Sequence, residues 1–177
     1  MELSGREVWT VLHGLVFGTV FLLAFAGGLA GLWSLRGELV TVAGIQERMR
    51  RLLAGVWSMS LMAWITVVTG TYIVYPWYRD PAPEGADDLT AYPRAFLLAD
   101  PDKDLWHKFG MEWKEHIAWI APMLATAVAF IVTWYGRRLA HDTRLRYATI
   151  VLFVLAFAAA GVAGLFGAFI NKAAPIR

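Results

Sequence analysis

Four long stretches of nearly unbroken apolar residues alternate with polar connections along this chain: Val8–Trp33, Leu53–Trp77, Trp113–Tyr135 and Tyr147–Ile170. Each exceeds the roughly 20 helical residues needed to cross a bilayer core. The apolar residues run continuously rather than alternating, so the pattern predicts helices and excludes the strands of a membrane barrel. The expected fold is an all-α integral membrane protein, a four-transmembrane-helix bundle forming a single domain over residues 1–177.

Composition agrees with that pattern, since 58% of the 177 residues are hydrophobic, more than an ordinary soluble domain carries. The first span is too long for the core of a cleaved signal, and Arg6 beside it is flanked by acids. The absence of cysteine excludes disulfides, thiolate-held clusters and haem attached through Cys-x-x-Cys-His. A metal cofactor would have to use His, Met, carboxylate or carbonyl ligands.

The polar connections divide by charge. Arg36, Arg48, Arg50 and Arg51 outnumber Glu38 and Glu47 after the first span. Arg137, Arg138, Arg144 and Arg146 face only Asp142 after the third. The long middle loop, residues 78–112, is acid-rich instead. The positive-inside rule then puts both Arg-rich loops in the cytoplasm, and both termini and the acidic loop on the outer, periplasmic side. A bacterial or archaeal inner membrane is the expected location. Trp9, Tyr75, Trp77, Tyr78 and Trp113 would form the outer aromatic belt, and Trp33, Trp57, Trp134, Tyr135 and Tyr147 the inner one.

Within the middle loop, the Pro- and acid-rich segment from Arg79 to Arg94 reads as extended. Asp100 is positioned to cap a helix beginning at Pro101. The stretch from Val40 to Leu53 reads as a short amphipathic lead-in to the second span.

Three of the four histidines fall on the outer side: His13, His107 and His116. His13 lies four residues past Trp9 and His116 three past Trp113, so at ~1.5 Å per residue their depths nearly match. Matched imidazoles on two helices suit the axial positions of a six-coordinate haem. Steps of three and four place Phe17, Val20, Ala24, Gly27 and Gly31 on the His13 face, and Ile120, Met123, Ala127 and Phe130 on the His116 face, with Trp119 beside it. Gly27 and Trp119 would give a macrocycle space and a wall. His13, His107, His116, Glu112 and Glu115 could alternatively contribute to a non-haem metal site, although no spacing fixes a third ligand.

These features predict a membrane electron-transfer subunit. One haem b, ligated by His13 and His116 near the outer face, would pass electrons between a redox partner and quinone within a larger complex. Tyr72, Tyr75, Glu112, Lys114 and Glu115 stand at the level of a quinone headgroup, though snorkelling interfacial side chains look the same. The alternative is a cofactor-free anchoring subunit whose acidic loop docks a partner. No phosphate loop, nucleophile elbow or metalloprotease helix is present, and nothing points to nucleic acid. Transport is disfavoured because no charge is expected deep in a span.

The remaining motifs read as packing. Gly14 with Gly18, Gly27 with Gly31, and Ala160, Gly164 and Ala168 are spaced for close helix approach. Ser58, Ser60, Thr66 and Thr69 can return hydrogen bonds to their own helix.

Overall fold

A computed structural model describes residues 4–37 and 41–176, the side chain of Val42 excepted; Glu38 lies outside the described residues. The fold is all-helical, with no strand among the described residues. Four helices are long and apolar enough to cross a membrane: α1 Gly5–Ser34, α2 Ala43–Tyr78, α4 Trp106–Tyr135 and α6 Thr143–Ala173. Short helices α3 Pro93–Leu98 and α5 Arg138–His141 join them. In hydrocarbon a helix meets its own backbone hydrogen-bonding needs, which is why such runs adopt this form.

Each helix extends past its apolar run because polar residues supply favourable ends. Ser4 opens α1 with a reciprocal capping box: its hydroxyl accepts from the Glu7 amide and its amide donates to the Glu7 carboxylate. The basic stretch ahead of the second span is continuous with α2 rather than a separate lead-in, and Arg50 and Arg51 clasp Glu47 along it. Asp100 accepts from the Asp102 amide at 3.0 Å, the expected cap, but a turn over 101–103 precedes the helical residues that begin at Asp104. Gly136 ends α4 with φ +44°, a left-handed conformation that favours glycine, and its amide bonds the Val132 carbonyl.

The long helices are not regular throughout. Wider π turns occupy Leu12–Val16 in α1, Gly70–Val74 in α2 and Trp106–Met111 in α4. Near the start of α4 the helix breaks at Ala118–Trp119, because Pro122 has no N–H to offer the Ala118 carbonyl.

Contacts divide the chain into two compact units. The first, the terminal unit, comprises residues up to Gly18, Ile65–Trp119 and from Ala160 onward. Its core gathers Tyr78, Leu97, Met111, Ile170 and Ala174, with Tyr75, Phe96, Trp106 and Phe166 packed against them. Arg6 extends across the Trp77 ring to pair with Asp80 at 2.9 Å.

The second, Arg-rich unit comprises Thr19–Trp64 and Ile120–Ala159. In it Phe25 stacks on Phe157 with ring centroids 3.9 Å apart, and Gly28 lies under Phe153. Ser60 and the Trp64 indole both bond the Thr126 hydroxyl, so Ser60 links two helices rather than bonding its own. Arg146 is buried and its guanidinium donates to the carbonyls of Leu35, Leu139 and Ala140. It fastens the end of α1 to the α5–α6 corner and is not a free loop cation.

The expected small-residue faces are only partly used. Gly31 meets Leu52, whereas Gly14, Gly18, Gly27 and Gly164 have nothing within 4 Å of a would-be Cβ. The buried positions of α1 are Phe21, Gly28 and Leu32, one residue past the expected Val20, Gly27 and Gly31.

Candidate functional site

The terminal unit concentrates the polar residues that membrane spans ordinarily avoid. His13 stands within the π turn of α1, and its Nδ1 lies 3.3 Å from the Thr69 hydroxyl. Thr69 commits its single proton to carbonyls of its own helix, at 2.6 Å from Ile65 and 3.2 Å from Thr66. It therefore accepts from the imidazole Nδ1, and the Thr66 backbone is a second hydrogen-bonding partner of the ring. The ring rests on Gly70, where a Cβ would come within 2.6 Å of Cε1.

His116 has different surroundings. Its Nδ1 donates to the Glu112 carbonyl at 2.8 Å, one turn back, and its side chain is 71% exposed. A carbonyl can only accept, so Nδ1 carries a proton. The residues expected on its face are also open: Ile120, Met123 and Phe130 are 38%, 53% and 59% exposed. Phe130 meets the Trp57 ring edge-on at 5.5 Å, and α4 buries Ala121, Pro122, Ala125, Val128, Ala129 and Val132.

The two histidines expected to act together thus have separate partners, His13 on α2 and His116 on its own helix. Trp119 is partly buried, and Gly27 belongs to the Arg-rich unit and faces open space. Among the described residues no three His, Asp or Glu side chains converge as a metal site. His107 is buried and joined to the Tyr78 hydroxyl at 2.9 Å, so both are core residues rather than members of a loop or belt.

A different cluster forms around Lys114 and Glu115. Because α4 starts at Trp106, these residues lie more than two turns inside the helix. Lys114 turns inward, its Nζ 3.2 Å from where Gly167 would carry a Cβ, with His13 and Glu115 as its titratable neighbours. The Glu115 carboxylate lies beside the Tyr75 hydroxyl, which also receives Arg79 at 3.3 Å. Glu115 Oε1 is buried and makes no hydrogen bond within the chain. Tyr72, in contrast, is 70% exposed.

Arg79, Tyr75, Glu115, Lys114 and His13 thus connect a cationic rim to a buried acid, a buried amine and an imidazole. Such a set can hold and exchange protons. Sequence spacing showed Lys114 and Glu115 near an interface but not their direction, which depends on Gly167 making room.

No family model, curated protein or solved structure matches this chain. The fold and composition define its class: a multi-pass, all-helical membrane protein with four candidate spans in contact with lipid.

Proposed function

We propose that the chain is an electron-transfer subunit of a larger membrane redox complex, with His13 and His116 as ligands for one b-type haem. The observation that supports this reading is shared by the two imidazoles: each has its Nδ1 hydrogen-bonded to an oxygen of the chain. Ligating histidines use this arrangement, because the Nδ1 bond fixes the tautomer and orients the ring. The ligand chemistry suits haem iron, which would supply one-electron transfer. His13 lies within the terminal unit, and the His116 side chain is exposed, where another subunit can reach it.

Quinone is the proposed exchange partner in the membrane. Glu115 can accept a proton from its reduced form, Tyr75 orients that carboxylate, and Lys114 holds its charge nearby. The charge division between loops supports an inner-membrane orientation with both termini outside. Enzyme fusions to the two termini would test that orientation.

A reduced-minus-oxidised absorption spectrum of the purified chain tests the haem reading. Bands of b type should appear and should vanish in His13→Ala and in His116→Ala. Bands that appear only with a partner subunit present would assign one ligand to that partner.

A second reading is a cofactor-free anchoring subunit, favoured by the seat that Thr69 and Gly70 already give His13. A colourless, folded preparation from haem-replete cells, alone and in its complex, would establish that reading and overturn the first.

A further inference from the structure

We propose that the Arg-rich unit binds an anionic lipid whose headgroup carries two phosphodiesters. Two surface basins adjoin at the α5–α6 corner. One, of about 620 Å³, is lined by Arg137, Arg138, His141, Asp142, Thr143 and Arg144. The other, of about 490 Å³, includes Arg36, Arg146 and Tyr147 and shares His141 and Thr143 with the first. Among the described residues they hold together five guanidinium groups and one carboxylate. The wall between them is fixed, since His141 fits against Gly37 with no room for a side chain there; a Cβ would lie 2.8 Å from Nδ1.

These cations are unevenly committed. Arg146 directs Nη1 to the carbonyls of Leu35, Leu139 and Ala140. Arg36 and Arg138 lie over the Trp33 and Tyr135 rings, contacts that leave guanidinium edges available. Arg137 and Arg144 have no ion pair or side-chain hydrogen bond to any described residue. Among the described residues the acid lining these basins is Asp142, which already accepts from the Leu145 amide through Oδ1. The unmatched charge calls for phosphate oxygens, which guanidinium forks bind bidentately.

The setting favours lipid as the source of that phosphate. The basins occupy the polar ends of α4 and α6, beside residues suited to headgroup depth: Trp33, Tyr135 and Tyr147. Trp134, 84% exposed, offers apolar surface next to the same corner. Two basins with a common wall match two phosphates joined by a short bridge better than one. Basic pockets between spans recognise headgroups in this way.

The test measures thermal unfolding of the full chain in zwitterionic micelles. Diphosphatidylglycerol, phosphatidylglycerol and inorganic phosphate are titrated separately at equal phosphate. The diphosphate lipid should stabilise the protein at the lowest concentration. In the R137Q/R144Q variant its half-effect concentration should rise roughly thirtyfold, since each cation near the surface contributes about fivefold. In the natural chain the effect should weaken as salt rises, a measurement that does not depend on the variant folding. The proposal is overturned by an unchanged response in a folded variant or by a salt-independent effect. It is also overturned by equal potency of phosphatidylglycerol, or of inorganic phosphate, which would assign the basins to a single or a free phosphate.

Discussion

The imidazole of His13 occupies the space that a side chain at Gly70 would need, with Cε1 only 2.6 Å from the position of a Cβ. A glycine on α2 and a histidine on α1 are therefore one structural unit, held in register by the Thr69 hydroxyl at 3.3 Å. Gly70→Ala should cost about 1–3 kcal/mol through overpacking. In a His13→Ala background the same change should be neutral or stabilising by up to about 1 kcal/mol, because alanine favours helix. A double-mutant cycle of unfolding free energies in micelles checks this; additive effects would show that the two residues do not meet.

Neighbouring glycines on α1 should respond differently. A Cβ at Gly28 would lie 2.7 Å from Cζ of the fully buried Phe153, whereas Gly27 has open space. Gly28→Ala is expected to lose about 1–3 kcal/mol and Gly27→Ala to stay within about 0.5 kcal/mol of the natural chain. Thermal melting of the two variants side by side suffices. The reverse order would mean that Gly27, rather than Gly28, meets Phe153.

Thr126 is a hydrogen-bonding hub in the Arg-rich unit. Its proton goes to the Pro122 carbonyl at 2.6 Å, so it accepts from Ser60 at 2.8 Å and from the Trp64 indole at 3.0 Å. Thr126→Val keeps the shape and leaves both donors without this acceptor. The expected loss is about 1–2 kcal/mol, at the upper end for polar contacts between membrane helices. Trp64 emission should shift as its indole loses that bond; an unchanged spectrum would argue against it.

Tyr78 and His107 form the buried polar pair of the terminal unit. Tyr78→Phe removes one partner and leaves His107 Nδ1 unsatisfied in the core, a change expected to cost about 1–3 kcal/mol. Because His107 stands in the π turn Trp106–Met111, amide exchange there should accelerate. Protection equal to that of the natural chain would show that the pair does not order the turn.

The turn ahead of α4 should depend on pH. The Lys103 ammonium at 2.6 Å holds the Asp100 carboxyl below the usual carboxylate range, with the Asp102 amide adding to it. A depressed folded value means that the contribution is present above the unfolded value near ~3.9. It is lost as pH falls through the lower folded value. Amide exchange at Asp102, Lys103 and Asp104, corrected for intrinsic pH dependence, should increase across that acid range and become flat in Asp100→Asn.

Much of the architecture was legible as pattern. Continuous apolar runs from Val8, Leu53, Trp113 and Tyr147 mark the four candidate spans, because a bilayer core rewards unbroken hydrophobic helix. Residue chemistry likewise made Asp100 a cap and Pro122 a site where the helix loses a bond. The faces were less legible. Helical counting from His13 led to Gly27, whereas Gly28 is the glycine under Phe153. A helix apolar on all sides carries no periodic signal of which face meets a neighbour.

The chemistry divides in the same way. The sequence by itself determined that the chain is apolar enough to span a membrane, lacks thiolate chemistry and carries histidines near two span ends. Only the tertiary structure decided that Lys114 turns toward Gly167, that Glu115 lies beside Tyr75, and that His13 and His116 have different partners. A side chain's identity fixes what it can donate or accept. Its direction depends on which neighbouring helix leaves room, and that is a property of packing between distant segments.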